Sequence, residues 1–237
     1  MKRIISLIII VTMMVFSLTS CDELAELFGE SDINSDSESK DELKDDSESV
    51  TYTITKEDWN ALDSITNYTI KLTGSSYSDQ NETSRTKIIY RSSGTDVHEE
   101  TMFSNNGSLS LYDKFCTTKD GICYGVARYE DGNWYATKYD WELKSLLDYL
   151  ESELLGLKFE DLIYSEENKA YIYTENEDDI EITILYHFKN GKLLNIEGKA
   201  VSNINGEEHI EELVNVEISH IGLTSVVVPQ YTVLEEE

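Results

Sequence analysis

Four histidines are the first candidates for acid–base or metal chemistry in this chain, and they lie far apart, at His98, His187, His209 and His220. His98-Glu99-Glu100 begins like a zinc-protease helix but lacks the second histidine four residues on, so the paired nitrogen ligands of one helix face are missing. No Gly-x-Ser-x-Gly elbow, phosphate-cradling glycine loop or dinucleotide fingerprint occurs. With 47 acidic residues among 237, neighbouring carboxylates carry little information, and Glu177, Asp178 and Asp179 read as a solvated turn. A Ser-His-acid set assembled only by folding is invisible in a linear reading. The residue types point to binding rather than catalysis, with no metal and no cofactor expected.

Of three cysteines, Cys116 and Cys123 flank Thr117-Thr118-Lys119-Asp120-Gly121-Ile122, in which Asp-Gly is a hairpin turn signal. A four-residue loop from Thr118 to Gly121 would set Cys116 opposite Cys123, where a disulfide could form outside the cytoplasm. A two-residue turn would misalign the sulfurs, and disulfide geometry is strict. Zinc falls short, since two cysteines without nearby histidines do not supply four ligands.

The third, Cys21, closes a leader. Lys2 and Arg3 give a positive start, Ile4 to Val15 is almost wholly apolar, and small residues lead to Cys21, which is the order of a secretory signal peptide. About a dozen apolar residues is too short to span a bilayer, which takes roughly 20. Leu18-Thr19-Ser20-Cys21 resembles the bacterial lipoprotein signal of Leu, a variable residue, a small residue and Cys. The resemblance implies diacylation of the Cys21 thiol, cleavage before it, and a lipid-anchored location on the cell membrane facing out of the cytoplasm. Two acyl chains meet the requirement for stable anchoring, at roughly 0.8 kcal/mol per buried CH₂.

Composition narrows the partners. The formal charge is −28, and it becomes −30 once Lys2 and Arg3 leave with the leader. Such a chain is unsuited to nucleic acid, which is bound by Lys and Arg neutralising phosphates. It is also held off an anionic bilayer except through its tether. The organisation expected is a signal peptide at 1–20, a lipid-anchored acidic tether at 21–49, and one α+β domain at 50–237. From Asp22 to Ser49 twelve acids face only Lys40 and Lys44, so the tether has too little to bury to offset its ordering entropy. Calcium capture there lacks the spaced Asp loop and closing Glu that such sites use.

Within the domain, Val50 to Ile54 alternates like a short strand. Thr55 and Asp58 have capping-box spacing, and Trp59, Leu62 and Ile65 make the apolar stripe of a short helix. Tyr68, Ile70 and Leu72 alternate with Thr69, Lys71 and Thr73, the pattern of a sheet with one buried face. Gly74 to Ser84 is polar and reads as a loop. Strands are expected at Thr86–Arg91, Asp96–Phe103, Ser108–Phe115, Cys123–Tyr129 and Trp134–Lys138, separated by turns that make an antiparallel meander. Asp140 is placed to cap a main helix over Trp141–Leu155, whose leucines recur at three and four with Gly156 behind. A helical turn at Phe159–Tyr164 precedes a second run of strands at Ala170–Thr174, Asp179–Phe188, Lys192–Ser202 and His209–His220. Val226–Val228 reads as a last strand before Pro229. Fifteen tyrosines, many on these strands, suit cross-strand packing, with an exposed aromatic face as the alternative.

Asn67-Tyr68-Thr69 after the first helix, Gly132-Asn133-Trp134-Tyr135 before the second, and Val226-Val227-Val228-Pro229 at the end carry a further resemblance. Over Val50 to Tyr231 the order of elements is similar to the half-barrel of bacterial lipoprotein-carrier and lipid-binding proteins of the LolA and LppX type. That resemblance implies one curved, mainly antiparallel sheet with a short N-terminal helix and one longer helix on its concave face. An apolar ligand cavity there is expected to be lined by Trp59, Leu62, Trp141, Leu146, Leu150 and Leu154. The chain departs from some carriers in having no identifiable counterpart of an arginine near the cavity. The function expected is non-catalytic binding of a lipid or other hydrophobic ligand by a monomer. The alternative is a cell-envelope interaction protein that engages a protein or glycan through an exposed sheet face.

Overall fold

Alternation of apolar and polar side chains dominates the chain after the first helix, and it folds into strands almost throughout. A computed structural model describes residues 50–78, 80–105, 107–139, 142–153, 158–177, 180–204 and 207–234, which from Thr51 onward belong to one compact unit. The leader, Cys21 and the acidic tether lie outside the described residues, as do Asp140, Trp141, Leu154 and Gly156.

The fold is strand-rich, a single open sheet of 12 strands accompanied by two short helices among the described residues. The first meander comprises β1 (Asn67–Ser78), β2 (Asn81–Ser93), β3 (Val97–Asn105), β4 (Ser108–Lys119), β5 (Ile122–Arg128) and β6 (Trp134–Lys138). The second comprises β7 (Ile163–Ser165), β8 (Ala170–Glu177), β9 (Ile180–Lys189), β10 (Lys192–Ile204) and β11 (Glu207–Ser219), and β12 (Thr232–Val233) closes the chain. Across the sheet the order is β12-β6-β5-β4-β3-β2-β1-β11-β10-β9-β8-β7. The first meander therefore steps outward from β1, while the second starts at the opposite edge and steps back until β11 lies antiparallel to β1. Only β12 pairs in parallel, on β6, which makes the sheet mixed.

Helix α1 (Lys56–Ala61) begins where the sequence places it: the Thr55 hydroxyl accepts the Asp58 N–H at 3.2 Å, and the Asp58 carboxylate accepts the Thr55 N–H at 2.8 Å. Helix α2 (Leu146–Glu153) is shorter than Trp141–Leu155, because residues 142–145 are not helical. A second capping box sets its entry, with the Ser145 hydroxyl accepting the Asp148 N–H at 3.0 Å and the Asp148 carboxylate accepting the Ser145 N–H at 3.3 Å. The expected longer helix is thus only two residues longer than α1.

Other expectations are corrected as well. Gly74 to Ser84 is not a loop: β1 and β2 run on through it, paired as far as Ser78 and Asn81. Polar residues persist there because both faces of that hairpin are half-buried or exposed, so nothing demands an apolar set. Val50 to Ile54 is extended but unpaired as a strand, and Phe159–Tyr164 resolves into a single 3-10 turn (Phe159–Asp161) running into β7. Val226–Val228 is no strand; the segment lies on β4 to β6 through side chains, and pairing waits until Thr232.

Period-two parity and the registers sort the side chains onto two faces. Tyr68, Ile70 and Leu72 share one face with Tyr90 and Ile88 of β2, Val216 and Ile218 of β11, Ile196 of β10, and Tyr186, Ile184 and Ile182 of β9. All of these are buried. The opposite face carries a smaller core in which Phe115, Val126 and Ala136 lie side by side across β4, β5 and β6, covered by Val226, Val228 and Tyr231 from the C-terminal segment.

Candidate functional site

The helix-bearing face is where the expected ligand-lining residues fall. Trp59 packs edge-on against Tyr186 at 5.6 Å between ring centroids and against Phe188 at 6.3 Å, so α1, although it precedes β1, sits on the second meander. Tyr149 of α2 lies 4.7 Å from Tyr90 and 6.4 Å from Tyr68, placing α2 on the first meander. The two helices are tied by the Leu146 N–H, which donates to Ile65 O at 2.7 Å, and by the Ser145 hydroxyl, which donates to Asp63 at 3.1 Å. Trp59, Leu62, Leu146 and Leu150 are all buried, at most 4% exposed. Trp141 and Leu154 lie outside the described residues, as does the lipidation residue Cys21.

The cysteine hairpin turns on two residues. Asp120 and Gly121 both take positive φ, 54° and 76°, the signature of the tight turn that suits strand twist. Lys119 therefore pairs with Ile122, Cys123 faces Thr118, and Cys116 faces Gly125. The two thiols are diagonal neighbours on one face and both are free. Diagonal neighbours stand about 7–8 Å apart, beyond ordinary disulfide reach.

The histidines stay on separate strands. His98 is held on both nitrogens, its Nε2 by Asp113 at 2.7 Å and its Nδ1 by Arg91 at 3.1 Å, with its ring stacked 4.1 Å from Phe115. Arg91 also pairs with Glu100. His220 meets the Ser219 hydroxyl at 3.0 Å but no carboxylate among the described residues. Among those residues no group of His, Cys, Asp and Glu is arranged to hold a metal ion.

Two features escaped the sequence reading. On the face away from the helices a depression of about 440 Å³ crosses β1, β11, β10 and β9. Leu185 and Leu213 supply its apolar lining, and Thr73, Glu197, Lys199 and Asn215 its polar one. Beside it, on residues opposite each other on β9 and β10, Asn195 Oδ1 is buried without a hydrogen-bond partner and the buried His187 Nε2 faces the Glu197 carboxylate at 3.6 Å, longer than a hydrogen bond. The second feature is a carboxyl on the helix-bearing face. Burial, aided by the neighbouring Glu211 charge, pushes Glu212 up to about 7. Strand parity was the available signal, since Glu212 falls in step with Val214 and Val216.

No helix among the described residues is long and apolar enough to cross a membrane, which says nothing of strands. The fold is a strand-rich one, a large, open, mixed sheet with an extended apolar core on one face and a smaller one on the other. No protein-family model matches the chain, and no curated protein does either.

Proposed function

We propose that the chain is an extracytoplasmic lipoprotein, anchored to the membrane through lipidated Cys21, that binds a lipid or other hydrophobic ligand without transforming it. The observation that supports this most is the mismatch between the apolar sheet face and its helices. Twelve strands at roughly 4.8 Å spacing span about 50 Å. Helices of six and eight residues are only about 9 and 12 Å long. The aromatic contacts of α1 and α2 engage Tyr68, Tyr90, Tyr186 and Phe188, and the apolar face continues past them through Ile182, Ile184, Thr101 and Phe103, which are buried as well, so a ligand would take the place of whatever covers them. In this reading the sheet bends into a LolA/LppX-like half-barrel around that face, and an acyl chain lies along the far stretch. Native mass spectrometry of the full chain released from membranes is expected to show a bound apolar species together with two acyl chains on Cys21. A protein that carries none and takes up no lipophilic probe would overturn the ligand; an unlipidated N-terminus would overturn the anchor.

The depression on the opposite face favours a second reading, an envelope interaction protein that presents this face to a protein or glycan. A photo-crosslinker at Leu213 is expected to capture one defined partner in intact cells. A domain that stays monomeric and uncaptured there counts against it.

A further inference from the structure

Strand β4 is twelve residues long, yet β5 covers only part of its outer side. The pairs with β5 run from Lys114–Ala127 to Lys119–Ile122, whereas the pairs with β3 continue down to Ser108. Among the described residues, no strand pairs with Ser108–Asp113 on the side away from β3. In an antiparallel ladder successive residues point their N–H and C=O to alternate sides, so half of this stretch offers its backbone groups outward. The stretch is a notch, bounded by the β3–β4 turn at one end and by β5 at the other.

Open edges are ordinarily blunted by charge, since each is a template for another strand. The open length of β8 beyond β7, Tyr173–Glu177, does carry charge, at Glu175 and Glu177. The notch on β4 is different. From Thr101 to Tyr112 there is no Asp, Glu, Lys or Arg, in a chain that is 28% charged. Leu109 and Leu111 are 57% and 61% exposed on one face, beside the half-buried Met102 that lies opposite Leu111 on β3.

The run Ser108-Leu109-Ser110-Leu111-Tyr112 is complementary to itself. Laid antiparallel on a second copy with Ser110 opposite Ser110, it sets each Leu109 opposite a Leu111 and each Tyr112 opposite a Ser108. One face then gathers the leucines of both copies, and on the other each large ring meets a small side chain. Asp113 falls opposite Gly107, so no like charges stand directly across the joint. The notch has the length of the strand that fills it, and a twofold axis closes both at once. Net charge selects the place too: at −28 two copies repel, and an uncharged stretch is where they come closest.

We propose that the open edge Ser108–Asp113 is a self-association site, at which two copies of the chain join their sheets by antiparallel β4–β4 pairing about Ser110. This adds a dimer to a chain expected to bind its ligand as a monomer, and its geometry is independent of both functional readings above. The paired stretch is shorter than the roughly 20–30 residues a side of a standard interface, so the joint is weak and is favoured where copies share one surface.

The test uses the full chain in intact cells, with Cys123→Ser throughout and single cysteines added along the edge, oxidised by copper phenanthroline and read on a non-reducing gel. Background from the remaining native thiols is common to every variant and cancels in the comparison. Ser110→Cys is expected to give a covalent dimer at about tenfold the yield of Ser108→Cys or Tyr112→Cys, whose equivalent positions lie roughly 14 Å apart along such a joint. Ser108→Cys and Tyr112→Cys expressed together under different tags should join as heterodimers, because those two positions face each other. Adding Leu109→Lys to Ser110→Cys should cut the dimer about tenfold without lowering the melting temperature, since Leu109 is exposed in a single copy. No dimer at Ser110, equal yields at all three positions, or a yield indifferent to Leu109→Lys overturns the proposal. A covalent product with a different protein in place of the second copy overturns it as well.

Discussion

At the scale of single residues, the informative positions are polar groups that fall in step with the apolar face. Glu212 is paired with Ser76 on one side and Ala200 on the other, beside Glu211, which accepts from the Ser202 hydroxyl. Its folded pKa of about 7 lies above the ordinary glutamate value of 4.5, so between those values the folded protein holds a proton that the unfolded chain has released. Stability therefore falls as pH rises from about 4.5 to about 7 and levels off above. Glu212→Gln should abolish that segment of the pH dependence. Because the side chain is not fully buried, the gain expected at pH 8 is only about 1–2 kcal/mol, vanishing near pH 4.5. Urea unfolding of the two proteins at both pH values measures it, and an equal difference at both would show that the carboxyl does not titrate with folding. Glu212 was missed because alternation in a sequence tells which side chains lie together, but not how deeply a carboxyl among them is buried or which charge it ends up beside.

At the scale of elements, short-range chemistry was legible wherever it is local. Trp134–Lys138 was read to the residue, and Thr55 with Asp58 caps α1 as its spacing requires. The α2 boundary failed because two capping signals compete, Asp140 and Ser145, and leucine periodicity runs past both; the Ser145-x-x-Asp148 box also reaches Asp63 on the 3-10 turn (Leu62–Ser64) that follows α1. Ser145→Ala removes the cap and that tie, and it should cost about 1–2 kcal/mol, with faster hydrogen exchange in Leu146–Glu153 and little change in β9 or β10. The turn between β4 and β5 gives a complementary test. With Asp120-Gly121 as a two-residue turn, Thr118 Oγ1 lies 3.5 Å from Cys123 Sγ, whereas Cys116 is displaced by two pairs, opposite Gly125. Under mild oxidation the wild type is expected to keep both thiols open to alkylation after unfolding. Thr118→Cys should lose the Cys123 thiol to a disulfide while Cys116 remains free. Loss of Cys116 reactivity in the wild type would require a shifted register.

At the scale of the whole molecule, the joint between β1 and β11 holds the fold together, and it was the part least visible in the chain. Both meanders could be read from turns and alternation, yet nothing local says that the last long strand returns to the first across some 140 intervening residues. That choice is made by matching faces: Ile70 meets Ile218 and Leu72 meets Val216, so closure joins two half-sheets into one apolar surface. Closing so long a loop is slow, which predicts folding far slower than that of helical proteins of similar size. It also predicts that neither meander is stable alone, since each would expose a broad apolar edge strand. Trp59 reports on the second meander through Tyr186 and Phe188, while Trp134 reports on the first, edge-on to Phe115 at 5.3 Å. In variants that keep only one of these two tryptophans, the denaturant transitions should coincide. Val216→Ala cuts a fully buried contact at the joint and should destabilise both halves together by about 1–3 kcal/mol. If the Trp134 transition stayed in place while the Trp59 transition moved, the first meander would fold on its own, and the apolar face would belong to two separate half-sheets rather than to the joined whole.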